Sequence, residues 1–303
     1  MRKLLHALSF YTFSVLTFPF KFMPLEWLYF ISDLMYIIIY KIFRYRVKVV
    51  KTNLKNSFPN KSTRELLEIE RKFYRHFCDL FIEQFFILHA NANQVKQLCT
   101  FKNVEMLNTY YTQGKSLVVA GGHYGNWEFY GLLGLYLKYL VFGAYKPLAN
   151  KYFERFVNAS RERFGALAVP MKETARTAIQ FAQDGKLFVL GLISDQTPPK
   201  SDIRYWTTFL NQDTPVFLGT EKIAQKLNQP VFFCNMRKIK RGQYEVELEL
   251  LTDNPAGTKP YEITEMHVRA LEKLIKDAPE YWLWSHRRWK HSRNLNPNPN
   301  EQH

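Results

Sequence analysis

The chain has 303 residues, with 42 Lys and Arg against 27 Asp and Glu, for a formal net charge of +15. That length allows one large domain or two small ones, and that charge calls for an anionic partner: nucleic acid, an acidic membrane face or a phosphorylated substrate. The three cysteines, Cys78, Cys99 and Cys234, lack metal or redox spacing, which points to reduced, buried thiols in a cytosolic environment.

Arg2-Lys3 precede an apolar run from Leu4 to Phe20. It begins like a signal peptide, but no small-residue cleavage site follows, and a membrane span needs about 20 apolar residues. A second run, Leu25 to Phe43, carries Glu26 and Asp33, charges that are costly inside lipid. Pro19 and Pro24 flank the break between the runs. Together they read as a helical hairpin that dips into one leaflet or lies on its surface, in preference to two core helices of a soluble protein. The cations Lys41, Arg44, Arg46, Lys48, Lys51 and Lys55 follow. Each contributes on the order of 1 kcal/mol against an anionic leaflet, and their position favours a cytoplasmic main body.

Ser62-Thr63-Arg64-Glu65 is a capping box. It opens an amphipathic helix to about Ala90, with a stripe of Leu66, Ile69, Phe73, Phe77, Leu80, Gln84 and Leu88 that reads as core packing. From Leu117 the pattern alternates. Strands are expected at 117–120, 140–145, 166–169 and 187–193, interleaved with helices at 126–138, 151–163 and 174–183. A helix at 219–227, paired strands at 230–239 and 244–251, and a helix at 263–277 complete the series. Such alternation implies an α/β fold whose central sheet is mainly parallel, flanked by helices, with a mixed edge. The Asn/Pro-rich tail from 294 reads as disordered.

His123 lies on the turn Gly121-Gly122-His123-Tyr124-Gly125-Asn126-Trp127-Glu128, at the carboxyl end of the strand 117–120. Open α/β sheets place ligands at that end. With Asn126 as helix cap and Glu128 in the first turn, Glu128 would orient His123, leaving the other ring nitrogen to accept a proton from a hydroxyl. The glycines allow close substrate approach or positive φ; Tyr124 and Trp127 either wall an acyl chain or simply pack. Asp195-Gln196 end the strand 187–193 on the same sheet edge, as a polar wall for substrate or as a turn closed by an Asx bond. Arg155, Arg161, Arg163 and the basic segment 285–293, with Arg287 and Arg288, either hold phosphates or form a solvated face. No nucleotide-binding loop, serine-hydrolase elbow, zinc spacing or RNA-recognition signature occurs, which argues against nucleic acid as the partner.

His123 and Glu128 match the His-x4-Asp/Glu signature of glycerolipid and lipid A acyltransferases. The order Gly122–Glu128, Tyr145-Lys146-Pro147 with Asn150, Arg161-x-Arg163-x-Gly165, Asp195-Gln196 and the segment from Pro279 to Lys290 resembles the bacterial lipid A biosynthesis lauroyl/myristoyl acyltransferase family. The resemblance covers nearly the whole chain. It implies a membrane anchor over 1–56, an acyltransferase domain over 57–293 and a tail over 294–303. It implies an enzyme of the bacterial inner membrane, facing the cytoplasm, that moves a fatty acyl group from acyl carrier protein, or less often coenzyme A, to a hydroxyl of a phosphorylated glucosamine disaccharide. Neither metal nor cofactor is expected. Carried over, His123 would be the base and Glu128 its orienter. Asn126, Arg161, Arg163, Arg287 and Arg288 would contact substrate, as would Asp195 and Gln196. Backbone amides near the glycine turn would meet the oxyanion. Acylation of an aminolipid or other polar lipid, and a catalytically silent lipid-binding protein, are the alternatives.

Overall fold

The computed structural model describes residues 2–293; the tail expected to be disordered lies outside the described residues. In chain order the elements are α1 (Arg2–Thr17), a 3-10 turn (Phe18–Phe22), α2 (Leu25–Tyr36), a π-helical turn (Ile37–Ile42), α3 (Val47–Ser57), α4 (Thr63–His89), α5 (Ala92–Leu98), β1 (Cys99–Lys102), α6 (Val104–Thr112) and β2 (Leu117–Gly121). A 3-10 helix (Trp127–Leu135), β3 (Leu140–Tyr145), α7 (Lys151–Glu162), β4 (Ala166–Pro170), α8 (Thr174–Gln183) and β5 (Phe188–Ile193) follow. Then come β6 (Trp206–Phe209), β7 (Gln212–Pro215), α9 (Gly219–Leu227), β8 (Val231–Lys240), β9 (Gln243–Thr252) and α10 (Glu262–Asp277).

Among the described residues seven strands form one sheet in the order β1-β9-β8-β2-β5-β3-β4. Every neighbouring pair is parallel except β8 and β9. The fold is thus the mainly parallel α/β sheet with a mixed edge that the alternation implied. β2 is buried at every position, as a central parallel strand covered on both faces must be. It pairs with β5 in the register Gly121↔Ile193. His123 and Asp195 therefore leave adjacent strands at equivalent steps past the same sheet edge.

Several elements differ from expectation. Trp127–Leu135 is a 3-10 helix, not the α-helix expected to 138. α5, β1, α6 and the β6–β7 hairpin were not foreseen. On α4 the expected capping box forms between Ser62 and Glu65, and Ile69 and Phe73 of the apolar stripe are buried, but so is a row of polar side chains. Glu70, His76, Asp79 and Glu83 are buried, while Phe77, Leu80 and Gln84 are only half-buried and Phe81 is exposed. The polar side chains face inward because they bond to one another's neighbours on α2, β8 and β9, as described below.

The two N-terminal helices rest chiefly on different supports. Phe10 and Phe13 of α1 meet Phe153 and Phe156 of α7 edge-on. α2 lies along α4. No helix among the described residues is long and apolar enough to cross a membrane. The outer faces nevertheless expose Leu4, Leu8, Val15, Phe22, Trp27 and Phe30. Asp33, a charge that would be costly in lipid, pairs with Arg241 at 2.8 Å. α3 carries Lys48, Lys51 and Lys55 on its exposed side and buries Val47, Val50 and Leu54.

Candidate active site

His123 is oriented by Asp195, not by Glu128. The imidazole Nδ1–H donates to Asp195 Oδ1 at 2.6 Å. Asp195 Oδ2 accepts from the His123 backbone N–H at 2.9 Å and from Trp282 Nε1–H at 2.8 Å. Burial alone would raise the Asp195 carboxyl, but the charge and hydrogen bonds of His123, with the Trp282 bond, outweigh it and hold the carboxyl at about 2. A carboxylate is thus locked beside Nδ1, which fixes the tautomer and turns Nε2 outward as the basic nitrogen. There it accepts from the Gln196 amide at 3.1 Å, and the edge of Trp127 packs on the ring at a centroid distance of 5.1 Å.

Glu128 faces elsewhere. Both its carboxylate oxygens bind Arg161, at 3.0 Å from Nε and 2.8 Å from Nη2. Among the described residues it shares no hydrogen bond with His123. The reason is local geometry. A 3-10 helix advances its side chains differently from an α-helix, and the bidentate guanidinium fork captures the carboxylate.

The other substrate-contact expectations divide. Asn126 is 2% exposed. It accepts from the Glu128 N–H at 3.3 Å and donates to Glu83 at 2.8 Å, so it caps and anchors the turn. Arg163 donates to the carbonyls of Ile87 and Leu88 at the end of α4, where a cation is favoured by unpaired carbonyls. Arg288 is buried, donates to Pro215 O at 2.6 Å, and supports the wall behind Asp195. Both guanidinium groups are thus engaged with backbone carbonyls of the protein itself. Arg161 lines the cavity described next, and Arg287 is exposed.

The glycine turn has structural reasons for its composition. Gly125 adopts φ +58, and a Cβ there would stand 2.5 Å from Met236 Sδ. Gly121 and Gly122 lie under Tyr130 and Leu271, so close packing explains them without substrate approach. The backbone amides are largely engaged too. His123 N–H binds Asp195, Gly125 N–H binds Tyr281 O at 3.0 Å, and Asn126 N–H binds Met236 Sδ at 3.2 Å. These three are therefore engaged within the protein. The Gln196 amide, beside Nε2, is a donor close to the base.

Two clefts meet at Trp127 and Glu128. The first, about 790 Å³ counting space open to solvent, lies over the sheet, floored by Val119, Val141, Gly143, Val189 and Gly191 and walled by Leu133 and Leu167. It is apolar except at its mouth, where Glu128 and Arg161 stand. The second, about 870 Å³, is an open groove between Phe77, Leu80, Phe81 and Gln84 of α4 and Leu283, Ser285 and His286 of the C-terminal segment, with Arg46 at its edge. The later part of the α4 stripe, Phe77, Leu80 and Gln84, is therefore a groove wall, while Ile69 and Phe73 are core as expected. Burial pushes His286 down to about 4, so it is neutral there. Trp282, which completes the shell of Asp195, carried no sequence signal beyond its place in a Trp-rich segment.

Residues 2–291 match the model of a family described as Bacterial lipid A biosynthesis acyltransferase. No curated protein matches the chain.

Proposed function

The chain belongs to the bacterial lipid A biosynthesis acyltransferase family, and from that premise we propose that it moves a fatty acyl group from acyl carrier protein to a hydroxyl of a phosphorylated glucosamine-based lipid A precursor. The observation that carries the proposal is the pairing of His123 with Asp195, beside Trp127, which also lines the apolar cleft over the sheet. Ligand sites are mostly apolar clefts with a few polar groups, and the lining of this one suits a fatty acyl chain.

In the proposed reaction the acceptor hydroxyl displaces Gln196 from His123 Nε2. His123 takes the hydroxyl proton as the oxygen attacks the thioester carbonyl, and Asp195 stabilises the resulting imidazolium. The Gln196 amide turns to the developing oxyanion. Collapse breaks the C–S bond, and the imidazolium returns the proton to the departing thiolate. The ester forms directly, without an acyl-enzyme. The acyl chain lies in the apolar cleft and the acceptor in the groove that contains Arg46, with exposed Arg287 near its end.

The proposed location is the cytoplasmic face of the inner membrane. Support comes from the exposed apolar faces of α1 and α2 next to the exposed cations Lys41, Arg44, Arg46 and Lys48, which together suit an anionic interface. A net charge of +15 suits both an acidic carrier protein and a phosphorylated acceptor.

The test is incubation of purified protein in lipid vesicles with acyl-acyl carrier protein and a set of acceptors, followed by mass spectrometry. Transfer to a lipid A precursor, abolished in His123→Ala, is the expected result. Transfer to an aminolipid alone would overturn the acceptor assignment, and full activity of His123→Ala would overturn the base.

A further inference from the structure

Beneath the His123 turn lies a buried polar cluster that the proposed reaction leaves unused. Glu83 of α4 is fully buried. It accepts from Asn126 Nδ2–H at 2.8 Å, from Tyr244 O–H at 2.8 Å and from Tyr29 O–H at 2.9 Å. His76, one helical face with Glu83, donates from Nε2 to Gly125 O at 3.2 Å while Nδ1 accepts from Lys238 Nζ at 3.3 Å. Lys238 also reaches Asp79 at 3.3 Å, and Asp79 accepts from Ser32 O–H at 2.8 Å. Two consecutive residues of the turn, Gly125 and Asn126, thus hang from two side chains of α4. Those side chains lead in turn to Tyr29 and Ser32 on the inner face of α2.

An apolar side chain in place of Glu83 would avoid the desolvation of a carboxylate. What the carboxylate supplies is direction: it accepts from Asn126 and Tyr29 at once, along separate oxygens. Asn126 then receives the Glu128 N–H and starts the 3-10 helix. Asn126 is three residues from His123 on the same turn, so Glu83 holds the far end of the turn whose near end Asp195 holds. The opposite face of α2 is open, with Trp27 and Phe30 more than half exposed at 64% and 63%.

We infer that Glu83 is a positioning residue that fixes the His123 turn to the inner face of α2, so that α2 belongs to the active-site frame as well as to the lipid-facing surface. The inference rests on His123 being the base of the acyl transfer.

The experiment measures kcat and KM for acyl transfer in vesicles of phosphatidylethanolamine and phosphatidylglycerol. Glu83→Gln sets an amide N–H₂ against donors, and its kcat falls by about tenfold or more with KM within about twofold, as expected for losing a hydrogen bond to a buried charge. The double variant Glu83→Gln/Asn126→Asp reverses donor and acceptor and recovers most of that loss, an interaction that only a direct pair produces. Tyr29→Phe removes the α2 link alone and lowers kcat by about fivefold, while vesicle sedimentation is unchanged. If Glu83→Gln does not fold, Tyr29→Phe decides the matter. Wild-type kcat in Tyr29→Phe, or no recovery in a folded double variant, overturns the inference. A parallel His123→Ala control separates the two readings: retained activity there refutes the base itself, whereas its loss alongside a wild-type Tyr29→Phe refutes only the link to α2.

Discussion

Asp195→Asn separates the dyad seen here from the His-x4-Glu pair suggested by sequence spacing. The carboxylate meets three donors: the imidazole N–H at 2.6 Å, the His123 amide at 2.9 Å and the Trp282 indole at 2.8 Å. Its pKa is depressed from 3.8 to about 2, which corresponds to about 2 kcal/mol favouring the charged form. A depressed carboxyl stabilises the fold above its unfolded pKa, and that stability is lost as pH falls through the folded value. The contribution is therefore complete at neutral pH and disappears only between about pH 4 and pH 2. Asparagine offers one acceptor and two donors to the same three N–H groups. One N–H must then face another, and the imidazole is driven to the tautomer protonated at Nε2, where it cannot accept a proton. The expected loss is about 10³–10⁴ in kcat with KM little changed, together with about 2–3 kcal/mol of stability at neutral pH. Release of the carrier thiol gives the rate, and urea unfolding gives the stability. Glu128→Gln, which loosens Arg161 at the cleft mouth, acts chiefly through KM. A folded Asp195→Asn enzyme within tenfold of wild-type kcat would refute the reasoning, as would a larger kcat loss in Glu128→Gln.

Gly143→Leu tests the cleft. A Cβ there meets only Gly191 O, at 3.6 Å, so a side chain can branch from this lining position and occupy the cleft floor. The preferred acyl chain shortens by about two to four carbons, at roughly 0.8 kcal/mol for each methylene displaced; an unchanged chain-length profile with a panel of acyl donors would mean the chain lies elsewhere. Arg163→Met removes the donors to Ile87 and Leu88. Stability falls by about 1–2 kcal/mol and KM for the acceptor holds; a raised KM with unaltered thermal unfolding would return Arg163 to phosphate binding. Trp27→Ser/Phe30→Ser weakens vesicle sedimentation by about 100-fold or more if both rings enter the interface, since each carries about 1.5–3 kcal/mol of burial. Undiminished sedimentation would assign the attachment to the cations.

The central strands were legible because burial on both faces leaves only one composition for them: Leu117–Ala120 and Phe188–Ile193 are short apolar runs bounded by turns. The elements that escaped lack such a contrast. α5 is seven residues long, although Asn91 and Gln94 form a capping box that announces it. The β6–β7 hairpin turns on Leu210-Asn211, both at positive φ; a leucine in that conformation conceals the usual Asn-Gly signal. On α4 the polar residues His76, Asp79 and Glu83 recur at helical spacing, a pattern as periodic as the apolar stripe. It gives no sign of burial because polar residues ordinarily face solvent.

The candidate site shows the same division between local and distant information. Spacing along the chain favoured Glu128, five residues from His123, and spacing misled because a 3-10 helix and Arg161 turn that carboxylate away. The partner that the structure supplies, Asp195, is 72 residues distant. No periodicity reports such a pairing, yet one consequence of fold class does. If β2 and β5 are parallel neighbours, residues equally far past their ends must converge, and the register Gly121↔Ile193 places His123 and Asp195 at that point. The identity of the neighbouring strand was the missing step, because strand order depends on tertiary packing and not on the composition of either strand. In a parallel sheet, then, a base on one turn is better searched for its carboxylate at the ends of the adjacent strands than along its own helix. Here that rule selects Asp195, and it leaves Glu128 with the task its own contacts describe: holding Arg161 at the mouth of the apolar cleft.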